Sequence, residues 1–375
     1  MQGHIRKRGK GSWTVVIDLG RDPTTGKRKQ LWRSVRGSKR EAEALLAQLL
    51  HQRDMGIDAP PGRVTVGQFL ERWLSDYAQT NVAPSTLRRY RQLIHCHLLP
   101  ALAGIPLSKL RPLHIQQAYS LILAKGRSAR TALHCHRVLR EALQHALKWQ
   151  LIARNPADAV EPPRPGRQEI RTLDPDGVRR LLRAADGTPF AALVHLAVMT
   201  GLRQGELLGL RWQDVDLEAG MVHVQQTAQW LPGHGVVFRP PKTHRSARPV
   251  ALSPATREIL RDHRRQQLEQ RLSLGPAYSD HDLVFATPIG TPMDPSNLRR
   301  AWRHIVQAAG LDACRFHDLR HAHATLLLHQ GVHPKVVSER LGHSSVTITL
   351  DTYSHVLPGL QAQAVAPLDR LLGLR

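Results

Sequence analysis

The sequence is poor in acidic residues, and it contains no long apolar run. Its 375 residues include 53 Lys and Arg against 30 Asp and Glu, which gives a formal net charge of +23. Such an excess of positive charge favours a polyanionic partner, with nucleic acid as the first candidate. No run of about 18 apolar residues is present, and the basic N-terminus lacks the apolar core of a signal peptide. We therefore expect a soluble cytoplasmic protein, associated with the nucleoid, that has no membrane partner.

Cysteine is also scarce. The three cysteines, Cys96, Cys135 and Cys314, are odd in number and lie far apart in the chain. Such spacing fits neither a disulfide framework nor a zinc-binding pattern, so we expect reduced and mostly buried thiols. A chain of this length exceeds one typical hydrophobic core, and two or three domains are expected.

Residues 1–56 are predicted to form a small basic module. Strands are predicted at Ser12–Leu19 and Gln30–Val35, and Ser38 with Glu41 forms a capping box that starts a helix. The first 40 residues contain twelve Lys and Arg against two Asp. A three-stranded sheet backed by one helix would therefore present a basic face to DNA. A basic surface that is merely solvated is the alternative interpretation.

An all-helical domain is predicted over residues 64–158. It begins with a second capping box, Thr65 with Gln68, after which apolar side chains recur at helical spacing. Ser85 is expected to cap a second helix, whose arginines lie opposite its apolar side, where they can meet phosphates. Further helices are predicted at Pro112–Lys125 and Ala129–Gln150, followed by a proline-rich linker at Glu161–Gly166.

The chain changes character in residues 170–375. Phe190–Met199 is apolar nearly all round and predicts a buried helix that ends at Gly201. Short alternating runs at Met221–Gln225 and Gly235–Leu252 predict one small antiparallel sheet, and after Ser253 the pattern is helical to the end. The chain as a whole is expected to be multidomain and mainly α, with small β-sheets.

Polar residues of the types used in catalysis are concentrated late in the chain. Arg320 can grip two phosphoryl oxygens, and His317, three residues earlier on a helix, can donate a hydrogen bond beside it. Gly342 is expected to end a helix and so to place His343 at its end. Tyr353 offers a nucleophilic oxygen. Structural interpretations stay open, because His343 also suits a cap or a core position and Tyr353 falls on an apolar helical stripe.

Two upstream residues can complete such a site. Arg203 follows a helix break and can direct its guanidinium at a phosphate, although an ordinary ion pair with Glu206 is the alternative. Lys242 is one of only two lysines after residue 150. Keeping lysine in an arginine-rich segment indicates a need for a releasable proton, while an exposed turn lysine is equally compatible. His317 and His321 have the spacing of a metal pair but lack a third ligand, so no metal is expected.

The order of these residues resembles that of the tyrosine recombinase (phage integrase) family. The similarity covers residues 170–358, while residues 64–158 resemble the family's helical, SAM-like core-binding domain and residues 1–56 its arm-binding domain. No catalytic position departs from the family pattern. The segments that carry the resemblance are TGLRQGELLGLRW, PKTHRSARPV, FHDLRHAHATLLL and LGHSSVTITLDTYSHV, and the matching residues are Arg203, Lys242, His317, Arg320, His343 and Tyr353.

The resemblance implies an α+β catalytic domain of tyrosine-recombinase type and a defined reaction. Tyr353 would attack a DNA phosphate, leaving a 3′-phosphotyrosyl link and a free 5′-hydroxyl. Arg203 and Arg320 would stabilise the transition state, with His317 and His343 assisting. Lys242 would protonate the leaving oxygen. Because the link conserves the energy of the broken bond, no cofactor and no metal would be required.

The resemblance also implies partners and a biological role. Four protomers would assemble on double-stranded DNA at core and arm attachment sites, with accessory DNA-bending or excisionase proteins, to integrate or excise a phage or mobile element. The tail after Tyr353 would dock on a neighbouring protomer. Two alternatives are a type IB topoisomerase-like relaxing enzyme and a non-catalytic DNA-binding regulator.

Overall fold

The computed structural model describes residues 3–21, 26, 28–54, 64–166, 172–231, 233–241, 246–312 and 314–353. The chain divides into two compact units, Met1–Arg167 and Gln168–Arg375. The predicted proton donor Lys242 and the predicted docking tail after Tyr353 lie outside the described residues. In the part of the chain that the structure describes, no helix is long and apolar enough to cross a membrane.

The first unit begins with an antiparallel sheet in the order β1-β2-β3 and a helix, α1. Val15 and Ile17 of the central strand are buried against Ala42 of the helix, because alternate residues of a strand share one face. The predicted capping box is confirmed, since the Ser38 N–H donates to Glu41 Oε2 at 2.7 Å and the Glu41 N–H donates to Ser38 Oγ at 3.3 Å. These elements are β1 Gly3–Gly9, β2 Ser12–Arg21, β3 Arg28–Arg36 and α1 Lys39–Asp54.

The rest of the first unit is helical, as predicted. The Thr65 and Gln68 capping box is present, and Phe69 and Trp73 lie in the core behind it. The helices are α2 Val66–Trp73, α3 Gln79–Asn81, α4 Pro84–Leu93, α5 Leu99–Leu102, α6 Pro112–Ala124 and α7 Ala129–Lys148, with π-helical turns at Leu74–Ala78 and Ile94–Leu98.

The predicted start of α4 was wrong. The N-cap is Ala83 rather than Ser85, because Pro84 takes the first helical position, where its missing N–H and fixed φ are tolerated. The predicted facing of this helix is confirmed, since Ile94 is buried while Arg88, Arg89 and Arg91 are exposed.

The second unit surrounds one large core built from helices and two small sheets. One sheet has the order β4-β5-β8 and the other pairs β6 with β7, all antiparallel. The helices are α8 Pro175–Ala185, α9 Ala191–Thr200, α10 Gln204–Leu208, α11 Pro254–Leu274, α12 Pro295–Ala308, α13 Asp318–His329, α14 Pro334–Leu341 and α15 Val346–Tyr353; the strands are β4 Val215–Asp216, β5 Met221–Val224, β6 Thr227–Leu231, β7 Gly235–Arg239 and β8 Arg248–Ala251.

Two predictions for this unit need correction. The run Gly235–Leu252 is not one strand of a single sheet: its first part pairs with β6, which was not predicted, and its last part pairs with β5. The segment after Ser253 is not helical throughout, because Tyr278 to Asp294 forms turns with isolated bridges such as Ala286 to Pro292. The predicted fold class, mainly α with small sheets, is confirmed.

The cysteines are all free, but their burial differs from the prediction. Cys135 is buried in the helical core of the first unit, whereas Cys314 is half-buried and Cys96 is exposed. Cys96 lies two residues after Ile94 in the π-helical turn Ile94–Leu98, so it falls on the exposed side of the turn while Ile94 stays buried.

Candidate active site

A left-handed glycine at the end of α9 positions the first arginine. Gly201 has φ 65°, and a Cβ there would lie 2.7 Å from both His323 Cδ2 and Leu341 Cδ2, so the position favours glycine. The chain then turns, and Arg203 becomes the N-cap residue of α10. The predicted helix break is therefore present, and its role is to bring Arg203 against α13 and α14.

Arg203 and Glu206 cap α10 together. The Arg203 N–H donates to Glu206 Oε2 at 2.9 Å, and its Nη1 donates to Oε1 at 2.6 Å. Glu206 is buried, with 4% of its side chain exposed, whereas 37% of the Arg203 side chain is exposed. The ion pair that was an alternative to phosphate binding is therefore present. It leaves the guanidinium partly open to solvent, and phosphate binding by Arg203 stays a prediction.

Arg248 is a member of this cluster that the sequence interpretation missed. From β8, its Nη2 donates to Glu206 Oε2 at 3.0 Å and its Nε donates to the Arg340 carbonyl at 2.7 Å. Burial opposes ionisation of Glu206, but the charge and hydrogen bonds of Arg248, with help from Arg203, outweigh it and hold the pKa of Glu206 below its usual value. Strand alternation could have identified Arg248 from the sequence, because Arg248 and Val250 are alternate residues of β8 and lie on the same buried face.

Arg320 is buried inside α13, with 3% of its surface exposed. Its Nη1 donates to the Gly201 carbonyl at 2.9 Å, and its Nη2 donates to the Leu341 carbonyl at 2.7 Å. Burial, followed by the nearby charge of Arg203, lowers the pKa of Arg320 to about 9, so it stays protonated at neutral pH. These two bonds use two of the five N–H donors of a guanidinium and fix its plane.

The two predicted histidines lie at helix ends. His317 is the N-cap residue of α13, three residues before Arg320, and its ring interacts with the charge of Arg320 while part of it stays open to solvent. His343 follows Gly342, which ends α14 with φ 66° as predicted, and its Nδ1 lies 2.8 Å from Thr349 Oγ1. Burial and the charge of Arg320 lower the pKa of both rings, that of His343 to about 4, so both are neutral at pH 7.

Tyr353 ends α15 and is 1% exposed. Its ring packs in a small apolar cluster with Leu328 and Leu341, and its hydroxyl lies 2.8 Å from Nδ1 of His321. Burial raises the pKa of Tyr353 to about 12, while Arg320 acts in the opposite direction, so the phenol keeps its proton at neutral pH. Tyr353 is therefore a core residue that also makes a polar contact, but the predicted apolar stripe is not buried along α15, because Leu350 is exposed.

A second set of hydrogen bonds supports this cluster. Arg340 Nη2 donates to the carbonyls of Met199 and Ala251, both at 2.9 Å, and its Nε donates to His323 Nε2 at 3.2 Å. Nδ1 of His323 in turn lies 2.8 Å from the Val198 carbonyl. These bonds tie the end of α9, β8, α13 and α14 into one frame. Sequence reasoning did not find Arg340 or His323, because each looks like an ordinary helical residue.

The structure brings five of the six predicted site residues into one region, while Lys242 lies outside the described residues. Arg203, His317, Arg320 and His343 interact electrostatically, and Tyr353 interacts with Arg320. Within the described ranges, no group of three His, Cys, Asp or Glu side chains could hold a metal ion. The arrangement offers fixed positive charge, neutral imidazoles and a protonated phenol, the groups that phosphoryl transfer to tyrosine uses.

Family models match the chain in three segments. The phage integrase family model matches residues 171–359, the phage integrase N-terminal SAM-like domain model matches residues 65–122, and the arm DNA-binding domain model matches residues 4–52.

Curated relatives align over nearly the whole chain. A protein named tyrosine recombinase XerC-like, from Caldanaerobacter subterraneus subsp. tengcongensis, is 31% identical over 385 residues and spans 97% of this chain and 97% of its own length. The ICEBs1 integrase of Bacillus subtilis is 27% identical, spanning 98% of this chain and 100% of its own. An integrase of Streptomyces ambofaciens is 30% identical and spans 94% and 92%.

Solved structures share the fold. The Tn1549 transposon integrase, in complex with a circular intermediate DNA, is 21% identical with a TM-score of 0.69 and covers 82% of this chain and 99% of its own. A lambda integrase dimer bound to a COC′ core site is 22% identical with a TM-score of 0.58 and covers 93% of each chain.

The fold, the side-chain cluster and these matches together define a site-specific DNA recombinase. The chain belongs to the phage integrase family of tyrosine recombinases. It is a DNA strand-transferase enzyme, a tyrosine recombinase of the integrase type. The prediction of a recombinase is thereby confirmed in preference to a topoisomerase-like enzyme or a non-catalytic regulator.

Proposed function

We propose that Tyr353 is the nucleophile and that Arg203, Lys242, His317, Arg320 and His343 serve its reaction. The observation that carries this proposal is the convergence of Arg203 and Arg320 on the turn before His343. Arg203 Nη2 donates to the Gly342 carbonyl at 3.2 Å, while Arg320 Nη2 donates to the Leu341 carbonyl at 2.7 Å. The two guanidiniums and the His343 imidazole therefore lie at the same turn. Binding of a phosphate requires positive charge and hydrogen-bond donors held together in this way.

The proposed reaction has two steps. The Tyr353 oxygen attacks phosphorus, the bond between phosphorus and the 5′-oxygen breaks, and that oxygen leaves with a proton from Lys242. The product is a 3′-phosphotyrosyl link and a free 5′-hydroxyl, which attacks a link on a partner strand in the second step. Arg203 and Arg320 neutralise the charge that develops on the non-bridging oxygens, and the neutral rings of His317 and His343 donate hydrogen bonds to them.

The modular arrangement supports a proposal about DNA binding. Residues 1–56 would bind arm sites, residues 64–158 would bind core sites together with the catalytic domain 170–375, and four protomers would assemble for strand exchange. The family-model matches and the structure of a lambda integrase tetramer bound to a Holliday junction support this arrangement. Accessory DNA-bending or excisionase proteins would choose the direction, and the reaction would take place on cytoplasmic DNA, at the nucleoid.

Replacing the phenolic oxygen tests the nucleophile. Tyr353→Phe should bind a nicked duplex that carries the junction between the element and its host DNA, yet form no covalent adduct with it. The matched control is Tyr278→Phe, which makes the same substitution at a half-buried position of the same unit and should retain adduct formation. A covalent adduct formed by Tyr353→Phe would overturn the assignment.

A further inference from the structure

Tyr353 is held by a histidine that has so far been given no role. His321 lies on α13, and Tyr353 ends α15. Their ring centroids are 5.8 Å apart at an interplanar angle of 58°, and His321 Nδ1 lies 2.8 Å from the phenolic oxygen. Within the described residues, this is the one hydrogen bond of that oxygen. His321 therefore contacts the atom that would attack DNA.

The protonation states fix the direction of this hydrogen bond. Burial raises the pKa of Tyr353 to about 12, whereas burial, followed by the neighbouring His317, lowers the pKa of His321 to about 4. At neutral pH the phenol is therefore the donor and Nδ1 the acceptor, which places the ring proton of His321 on Nε2. The charged and titratable groups around His321 are His317, Asp318, Arg315, Arg320, His343 and Tyr353.

We propose that His321 accepts the phenolic proton of Tyr353 as the tyrosine attacks phosphorus, and returns it when the tyrosine leaves. This inference rests on the proposed function of Tyr353. In cleavage the O–H bond of the phenol breaks, its proton moves to His321 Nδ1, and the O–P bond forms. The 5′-oxygen takes its proton from a separate acid, so the imidazolium persists until it loses a proton to solvent or ligation reverses the transfer.

His323, two residues away, shows what a structural histidine looks like in the same helix. It is buried, its Nδ1 bonds to the Val198 carbonyl, and its Nε2 accepts from Arg340. His321 is only half-buried, and in the described part of the chain its Nε2 has no hydrogen-bond partner. A ring with one nitrogen hydrogen-bonded to the nucleophile and the other free of hydrogen bonds can exchange a proton with water. A ring with both nitrogens hydrogen-bonded to the protein cannot.

The neighbours of His321 fit a transient positive charge. Asp318, one turn earlier on α13, is 7% exposed and bonds to Arg315, with 2.8 Å between Asp318 Oδ1 and Arg315 Nη2. Its carboxylate favours the protonated form of His321, while Arg320 and Arg315 oppose it. The other histidines are placed differently: His343 Nδ1 is bonded to Thr349, and the ring of His317 makes no hydrogen bond to a described residue. Only His321 among them contacts Tyr353.

The experiment separates a hydrogen-bond acceptor from a proton acceptor. In His321→Asn, the amide oxygen takes the place of Nδ1 and keeps the bond to Tyr353, but it cannot be protonated. The matched control is His329→Asn, the same change at an exposed position of the same helix. Single-turnover adduct formation on the nicked junction duplex, ligation from the preformed adduct and DNA affinity are measured for each protein.

We expect His321→Asn to slow both cleavage and ligation by about 10²-fold or more, at unchanged DNA affinity. Because the same proton moves in both directions, the ratio of cleaved to ligated DNA should stay constant. 3-Fluorotyrosine placed at position 353 is more acidic than tyrosine and should recover part of the lost rate in the variant. His329→Asn should behave as the wild type.

Two results would overturn the proposal. Wild-type rates in His321→Asn would show that no proton transfer to His321 is needed, and faster cleavage would show that His321 restrains the tyrosine instead. If thermal unfolding shows that Asn destabilises α13, His321→Gln is measured instead and judged by the same two results. Tyr353→Phe in the same assay keeps the two ideas apart: if it forms no adduct while His321→Asn reacts normally, only the role of His321 fails.

Discussion

Arg203 and Arg320 donate to adjacent carbonyls of one turn, those of Gly342 and Leu341, at 3.2 and 2.7 Å. The two arginines are separated by more than a hundred residues in the chain, and each bond alone would be ordinary. Together they mean that the backbone at the end of α14 sets the spacing of both guanidiniums. His343 follows directly, so the same turn positions the imidazole as well. Any change in the backbone of this turn should therefore affect three groups at once.

Gly342→Ala tests whether the backbone of this turn positions the three groups. Position 342 has φ 66°, and a Cβ there would lie 2.7 Å from Arg248 Nη1 and 3.0 Å from its Cζ. We expect a loss in the free energy of unfolding of about 2–4 kcal/mol, from backbone strain and displacement of Arg248, and slower adduct formation. Urea unfolding and single-turnover cleavage measure the two effects.

The control for that substitution is Gly331→Ala. Gly331 has φ 76°, but a Cβ there would meet nothing within 4 Å, so it reports backbone strain alone. We expect a loss of about 1–2 kcal/mol with cleavage unchanged. Equal effects at both positions would contradict the idea that Gly342 is required by contact with Arg248.

Arg248→Gln tests the support beneath Arg203. The substitution leaves the buried Glu206 carboxylate with Arg203 as its remaining cationic partner, and we expect a loss of about 3 kcal/mol together with slower cleavage. Arg271→Gln removes an exposed ion pair with Asp280 and should cost about 1 kcal/mol or less, with activity retained. Chemical denaturation of both variants gives the comparison, and similar losses would argue against a special role for the buried pair.

Sequence reasoning found the residues proposed to act on DNA better than those that support them. Arg203, Arg320, His343 and Tyr353 stood beside helix breaks or in recognisable segments, so local pattern was enough to select them. Arg248 and Arg340 could not be found in that way, because their partners are carbonyls and a carboxylate contributed by distant elements. His321 was considered only as a metal ligand, since its contact with Tyr353 depends on how α13 and α15 pack.

The fold shows the same division between local and long-range information. Capping boxes and apolar periodicity predicted most helices, because these signals act within a few residues. Strand pairing was harder to predict, since β8 pairs with β5 across an intervening hairpin, β6 with β7. Periodicity identifies a strand but says nothing about its partner, and this is why two sheets were predicted as one.

The pH dependence of stability should reflect His323. Burial, followed by the charge of Arg340, lowers the pKa of this ring from 6.5 to about 4, and Arg320 contributes in the same direction. Between these values the unfolded chain binds a proton that the folded chain does not, so stability is lost as pH falls from about 6.5 toward 4. The full shift corresponds to about 3 kcal/mol.

Urea unfolding at pH 7.5 and pH 5.0 checks this expectation. The wild type should lose stability at the lower pH, and His323→Gln should lose less between the two values, although it starts from a lower stability. His329→Gln changes an exposed histidine of the same helix and should keep the wild-type difference. A pH difference as large in His323→Gln as in the wild type would mean that other groups carry the effect.

Lys242 is predicted to protonate the leaving 5′-oxygen, and the leaving group itself can test this role. Lys242→Ala should cleave a normal nicked duplex slowly, by about 10²-fold or more, because the oxygen must depart without a proton. A duplex with a 5′-bridging sulfur in place of that oxygen has a leaving group that needs no proton, and it should restore cleavage. His321→Asn is the contrasting variant, since its proposed defect concerns the attacking oxygen, and the sulfur substrate should not restore its rate. Rescue of both variants, or of neither, would contradict the assignment of separate proton transfers to the two ends of the reaction.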